Sequence, residues 1–317
     1  MAILLGGCGG ATGEDTEADP VAVATTTQLG SVLHQITACA GTTSSTVMGP
    51  GDDPHDFAPS SQQIAQMTAA KLVVSNGLDL EAGMQTALDN AESDGAVLFE
   101  VGPEADPLPF ASHDHTGSGG GRSEDGGGAA GAESGHGTGS LDPHFWMDVG
   151  RMADAAEAIG GRLAATTGDE QYTACGEQVS DSLRAVDGQV KEILSAIPGD
   201  RRTLVTDHAA YNYFADAYGL DVAGVVVPGG STDAAPSSQQ LSRLHGEIGR
   251  EGADALVTSI EANNAMVGAL SEETGGTVPV VELYEGGLGP EGSGAETYED
   301  AMLFNARALA EALGAGA

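Results

Sequence analysis

The sequence has few basic residues, few aromatic residues and no long apolar run. Lysine and arginine together number 11, against 47 aspartate and glutamate residues, which gives a formal net charge of -36. Because nucleic-acid binding depends on Lys and Arg contacts to phosphate, this balance excludes a nucleic-acid-binding protein. The acidic excess is typical of a solvated surface that attracts cations, but it does not locate a metal site.

Without a run of about 18 apolar residues, the sequence predicts no membrane-spanning helix. The N-terminus reads MAILLGGCGG, an apolar stretch that runs into small residues and Cys8. This stretch resembles the lipobox of a bacterial lipoprotein signal, although the basic start and longer apolar core of a full signal are missing. We therefore expect a lipid on Cys8 and a flexible tether with the lipobox remnant over residues 1–20. The alternative is an unstructured N-terminus with an unmodified cysteine.

Cysteine is also scarce, and only Cys39 and Cys175 accompany Cys8. In an exported protein two such cysteines are a candidate disulfide. The spacing alone leaves two buried free thiols as the alternative.

Short apolar strands alternate with helices in both halves of the sequence, which predicts an α/β protein with parallel sheets. Predicted strands in the first half are VAVATTT, TTSSTVMG, LVVSNG and AVLFEVG; predicted helices are LGSVLHQITA, SSQQIAQMTAAK (with Ser60 or Ser61 as cap) and LDLEAGMQTALDNAES. Predicted strands in the second half are TLVTDH, DVAGVVVP, ALVTSI and VPVVELY; predicted helices are YNYFADAYG, SSQQLSRLHGEIGREG, NNAMVGALSEETGG and AETYEDAMLFNARALAEAL. Two long helices, over 148–165 (opened by Asp148) and 169–196, are predicted between the halves.

Residues 112–140 interrupt this pattern. They are rich in glycine, serine, histidine and acids and cannot bury a core, which predicts a mobile loop. Its histidines, His113, His115 and His136, are candidates for weak metal capture, because ordering so loose a loop around an ion costs conformational entropy.

Three other histidines lie at or near predicted strand ends. The tripeptide Asp-Pro-His occurs at 53–55 and at 142–144, and His208 ends the strand TLVTDH. Ligands of open α/β sheets collect at the carboxyl ends of strands, and neutral imidazole binds zinc and related divalent metals. The preceding proline fixes the backbone at His55 and His144. The pattern therefore predicts one metal site that contains His55, His144 and His208.

Acidic residues accompany these histidines. Asp53, Asp142 and Asp207 each precede one of them by one or two positions, and such acids orient the second ring nitrogen of a metal-bound histidine. We expect a fourth ligand from Glu285, just past the strand VPVVELY, since Glu282 inside that strand points to the other face. His34 and His245 lie within predicted helices and are interpreted as structural or surface residues.

The chain resembles a known family at several motifs in order over residues 21–313. These motifs are DPHDFAPSSQQ, LVVSNGLDLE, DPHFWMDV, LVTDHAAYNYFADAYGL and LGPEGSGAETYEDAMLFN. The family comprises the metal-binding solute-binding proteins of bacterial zinc and manganese ABC transporters. The resemblance implies two (β/α) lobes of four-stranded parallel sheet, over 21–146 and 169–317, joined by a long rigid backbone helix over 147–168.

The resemblance also implies a function. One divalent metal ion would be held between the lobes by His55, His144 and His208, outside the cytoplasm, and delivered to a membrane permease by a monomeric protein that is not an enzyme. The family's fourth ligand is usually an acid at the position of Gly286, so Glu285 would substitute for it from one residue earlier. Three imidazoles and the position of loop 112–140, where zinc members carry a His-rich loop, favour zinc over manganese.

Two other classes remain as alternatives. Three protein ligands and a water also form the catalytic site of zinc hydrolases, with Glu285 as a candidate base, although the sequence contains no HExxH helix. A surface adhesin or a metal-storage protein could use the same fold.

Overall fold

The computed structural model describes residues 20–110, 141–227, 252–260, 271 and 277–314. Several sequence predictions fall outside these described residues. They are the lipid site Cys8, the histidines of loop 112–140, His245, and most of the predicted helices over 237–252 and 263–276.

Within the described residues, eight strands form two sheets of four. The first sheet contains β1 (Ala22–Ala24), β2 (Ser44–Thr46), β3 (Leu72–Ser75) and β4 (Val97–Glu100), in the order β2-β1-β3-β4. The second contains β5 (Thr203–His208), β6 (Asp221–Val227), β7 (Ala255–Ser259) and β8 (Val280–Leu283), in the order β6-β5-β7-β8. All neighbouring strands are parallel, so the predicted α/β class with two four-stranded parallel sheets is confirmed. We call the part built on β1–β4 the first lobe and the part built on β5–β8 the second lobe.

Seven described helices accompany the sheets. They are α1 (Thr27–Cys39), α2 (Ser61–Ala69), α3 (Gln85–Ser93), α4 (Val149–Thr167), α5 (Gln171–Ser195), α6 (Asn212–Tyr218) and α7 (Tyr298–Ala312). Two predicted helix starts are confirmed: Ser60 caps α2 in a capping box with Gln63, and Asp148 caps α4 by accepting from two backbone N–H groups. None of the described helices is long and apolar enough to cross a membrane.

The predicted helix over 78–93 is wrong in its first turn. Leu78 and Asp79 have φ values of 57° and 62°, and a short 3-10 turn (Ala82–Met84) precedes α3. The reason is the buried carboxylate of Glu81, which accepts hydrogen bonds from the backbone N–H groups of Asn76 and Gly77. A helix that began at residue 78 would keep Glu81 from folding back onto these donors.

Helices α4 and α5 lie between the two lobes along the chain and pack closely against each other. A Cβ at Gly160 would come within 2.6 Å of the Tyr172 carbonyl oxygen, so glycine permits this approach. Helix α5 also contacts α1 of the first lobe and α7 of the second. Cys39 at the end of α1 and Cys175 of α5 form a disulfide. The long helices are thus fixed covalently to the first lobe and by packing to the second.

We expect the double variant Cys39→Ser/Cys175→Ser to lower the free energy of unfolding by about 3–5 kcal/mol, because the bridge closes a long loop of the unfolded chain. The two cysteines are 136 residues apart in sequence. Urea unfolding followed by circular dichroism measures the change. Cys8→Ser, which removes a cysteine outside the pair, is the matched control and should leave the midpoint in place. An unchanged midpoint in the double variant would contradict the expectation.

Candidate metal centre

Three imidazole rings meet between the two lobes. His55 lies in the turn after β2, His144 directly before the 3-10 turn Phe145–Met147, and His208 is the last residue of β5. Their ring centroids are 5.3, 5.7 and 6.2 Å apart, and one nitrogen of each ring lies within 4.8 Å of the others. His144 and His208 are buried, and His55 is partly exposed. The arrangement gathers three imidazole nitrogens around one point.

The ring nitrogens fit a bound metal ion. Nε2 of His144 lies 3.2 Å from Nε2 of His55, close to the separation of about 3.3 Å between two ligands of a tetrahedral zinc ion. Nε2 of His208 is buried and makes no hydrogen bond of good geometry among the described residues, although a carboxylate oxygen of Glu285 lies 3.2 Å away. A buried polar atom without such a partner is costly, and coordination to an ion would satisfy it.

The carboxylate of Glu285 completes the cluster. It follows β8, is 2% exposed, and directs Oε2 to 3.2 Å from Nε2 of His208 and Oε1 to 3.9 Å from Nε2 of His144. Glu282 is exposed on the opposite face of β8. Gly286 supplies no carboxylate, so the side chain one residue earlier brings an oxygen donor to the three nitrogens.

Two buried aspartates orient the rings from behind. Asp142 Oδ1 lies 2.7 Å from Nδ1 of His144, and Asp207 Oδ1 lies 2.9 Å from Nδ1 of His208. Both contacts leave Nε2 facing the cluster, which is the geometry that fixes the tautomer of a metal-binding histidine. Asp53 accepts a hydrogen bond from the backbone N–H of His55 at 2.9 Å and shapes the turn that carries this ring.

The charges around His208 change its protonation. Burial alone lowers the pKa of His208, but the negative charge of Glu285 and the hydrogen bond and charge of Asp207 outweigh it and raise the pKa well above its usual range. For Asp207, burial acts in the opposite direction and raises the pKa. The hydrogen bond and charge of His208 outweigh burial, so the pKa of this carboxylate is lowered. A proton on His208 therefore balances the acids when no metal ion is bound.

Sequence reasoning missed a network behind the second Asp-Pro-His turn. Asn76 donates from Nδ2 to the Pro143 carbonyl at 3.0 Å, directly before His144. Glu81 holds the Asn76 backbone and also accepts from Thr25 Oγ1 at 2.6 Å. Burial raises the pKa of Glu81 against the lowering effect of these hydrogen bonds. The Asn-Gly pair directly after β3, with Glu81 four residues after the glycine, was the available signal in the sequence.

Sequence reasoning also missed the groups that hold the backbone at Glu285. Its carbonyl oxygen accepts hydrogen bonds from Trp146 Nε1 at 2.9 Å and from Gln28 Nε2 at 3.1 Å. Asn305 of α7 pairs with both the N–H and the carbonyl of Tyr284. Trp146 is the only tryptophan of the chain and lies two residues after His144, so the sequence offered a signal for its role. The sequence offered no such signal for Gln28.

We expect metal binding to release about one proton at neutral pH, because an ion must displace the proton that the raised pKa keeps on His208. Since the proton competes with the metal below that pKa, apparent affinity falls as pH falls. Calorimetric zinc titrations in two buffers of different ionisation enthalpy measure the release. His34→Ala, at an exposed histidine of α1, is the matched control and should leave it unchanged. Binding without proton release at neutral pH would contradict the assignment.

Comparison with known proteins places the chain in a family. Residues 22–312 match the family described as zinc-uptake complex component A, periplasmic. A relative 29% identical over 311 residues, covering 96% of this chain and 93% of its own length, is the manganese-binding lipoprotein MntA of Halalkalibacterium halodurans. The zinc-binding lipoprotein AdcA of Streptococcus pneumoniae is 27% identical over 265 residues. The match covers 83% of this chain and 50% of AdcA.

A solved structure has the same fold. The periplasmic zinc binding protein TroA from Treponema pallidum superimposes with a TM-score of 0.76 at 23% identity, over 93% of this chain and 99% of TroA. The resemblance found in the motifs is therefore confirmed over nearly the whole chain. The protein belongs to the family of zinc-uptake complex component A proteins.

Proposed function

We propose that this protein is the extracytoplasmic receptor of a metal-ion ABC transporter. It captures one divalent cation between its lobes and delivers the ion to the membrane permease, acting as a monomer. The observation that carries this proposal is the convergence of three imidazole nitrogens and one buried carboxylate, with aspartates behind two of the rings. The family of the chain and the names of its relatives support the transporter role.

In this proposal His55, His144, His208 and Glu285 are the ligands of the ion. The first two belong to the first lobe and the last two to the second, so the bound ion bridges the lobes. Asp142 and Asp207 hold the rings, and Asp53 shapes the turn at His55. A set of protein ligands that surrounds the ion favours binding over hydrolysis, which needs an open coordination position for water.

Zinc is the ion that we propose. Three nitrogens and one carboxylate oxygen give the four-coordinate donor set that zinc prefers in proteins. Manganese is the second candidate, because a relative of 29% identity is named manganese-binding and because both oxygens of Glu285 face the cluster. Two carboxylate oxygens would raise the oxygen share that manganese prefers.

The location and domain organisation are also part of the proposal. We propose a lipid anchor on Cys8, a tether over residues 1–20, lobes over 21–146 and 169–317, and a connecting helix over 147–168. The disulfide supports an oxidising compartment outside the cytoplasm. His113, His115 and His136 would collect metal weakly.

The proposal is tested by calorimetric titration of the metal-free protein with zinc and then manganese. We expect one tight site per chain, tighter for zinc, that survives deletion of residues 112–140. His55→Ala and His208→Ala should each weaken binding more than about 100-fold, since loss of an outer contact alone costs 10- to 100-fold. His34→Ala is the matched control. Unchanged affinity in both ligand variants would refute the site. Tighter binding of manganese than of zinc would make manganese the ion of this protein.

Glu285 and Gly286 offer a sharper test of the fourth ligand. We expect Glu285→Ala to weaken zinc binding and Glu285→Ala/Gly286→Asp to recover part of it, because an acid at 286 restores an oxygen donor. Among the residues that the structure describes, a Cβ at Gly286 meets Pro54 Cδ alone, at an ordinary distance of 3.9 Å, so the position accepts a side chain. Zinc titration measures both effects, and Glu282→Ala is the matched control. Full affinity in Glu285→Ala would remove Glu285 from the ligand set.

A further inference from the structure

The main chain at Glu285 is held by groups from the other lobe. Its carbonyl oxygen accepts from Gln28 Nε2 at 3.1 Å and from Trp146 Nε1 at 2.9 Å. Gln28 lies in the first turn of α1, and Trp146 in the turn before α4, whereas Glu285 follows β8 of the second lobe. All three residues are buried, at 3% exposure or less.

The segment that carries Glu285 is held by hydrogen bonds from other elements. Gly286 and Gly287 follow directly, and glycine has the widest backbone freedom of all residues. The segment is fixed from outside: Asn305 of α7 bonds both backbone groups of Tyr284, and Thr27 accepts from the Leu288 N–H at 3.0 Å. The position of the Glu285 carboxylate therefore depends on hydrogen bonds made by distant residues.

Trp146 links this support to a second proposed ligand. Its ring centroid lies 5.1 Å from that of His144, two residues earlier, and its own carbonyl accepts from Tyr298 Oη at 2.5 Å. The indole is thus fixed between the His144 ring and the Glu285 carbonyl. Gln28 also reaches across the lobes, and its side-chain amide donates to the same carbonyl.

We propose that Gln28 and Trp146 are positioning residues that place the Glu285 carboxylate for the metal ion. They act through the main-chain carbonyl, and they hold the fourth ligand ready only while the two lobes are together. This inference rests on the proposed function. A ligand that is already in place does not lose conformational freedom on binding, so the two donors raise affinity without touching the ion.

The test compares two glutamines of α1 in the full chain. Gln28→Met removes the donor to Glu285 with little change in size. Gln35→Met removes a hydrogen bond of similar length across the lobes, from Gln35 Nε2 to Glu299 Oε1 at 2.9 Å, that does not involve Glu285. We expect Gln28→Met to weaken zinc binding about fivefold, the effect of one neutral hydrogen bond, and to speed zinc dissociation. Gln35→Met should leave both unchanged.

A double-mutant cycle separates positioning from general stability. In the Glu285→Ala background, Gln28→Met should have no further effect on zinc affinity, because the carboxylate that it places is gone. The visible absorption of bound Co²⁺, which reports the ligand set, should shift in Gln28→Met towards the Glu285→Ala spectrum and stay constant in Gln35→Met. Trp146→Phe, which keeps an aromatic ring but loses the N–H donor, should shift it in the same direction.

Three outcomes would overturn the inference. Equal loss of affinity from Gln28→Met in both backgrounds would assign Gln28 a structural role only. Wild-type affinity and spectrum in both Gln28→Met and Trp146→Phe would show that neither donor matters. Absence of a tight zinc site in the unmodified protein would refute the proposed function itself, and this inference with it.

Discussion

The orientation of two buried imidazoles depends on one kind of interaction, the short hydrogen bond between Nδ1 and a preceding aspartate. For His144 the acid is two residues earlier, and for His208 it is the adjacent residue. In both cases the same carboxylate oxygen also accepts from the histidine's own backbone N–H. The ring is therefore fixed relative to its own backbone, and Nε2 faces the space between the lobes.

The aspartates that fix the two rings place negative charge inside the protein. Asp142, Asp207 and Glu285 are all buried beside the rings. Buried carboxylates are costly without a positive partner. Asp207 reduces this cost with donors from Thr258 Oγ1 and the Ser259 N–H, and a proton on His208 supplies positive charge. A divalent cation would supply two charges and free that proton, so the electrostatics of the site favour a bound metal.

Local sequence patterns predicted the parts of the structure that depend on short-range interactions. The strands, helix caps and paired Asp-Pro-His turns follow from short-range physics. Among the three histidines, His208 ends a strand, whereas His55 lies in a turn after β2 and His144 lies directly before a 3-10 turn. The details at residues 78–81 and 285 depend on partners far away in sequence. Glu81 redirects the chain through buried hydrogen bonds, and the carbonyl of Glu285 is held by residues 257 and 139 positions away. Such contacts leave no periodic signal, because a glutamine in a first helical turn looks the same whether or not it reaches another lobe.

The two ends of α1 constrain how the lobes can separate. Cys39 at its C-terminal end is bonded to α5, which also packs against α7 of the second lobe. Gln28, eleven residues earlier, lies about 16 Å away along the helix axis and reaches Glu285. A motion that separates Gln28 from Glu285 must break the hydrogen bond between them, while the disulfide keeps Cys39 beside α5. Neutral hydrogen bonds contribute only about 1 kcal/mol each, so these contacts can hold Glu285 in place and still open when the ion is delivered.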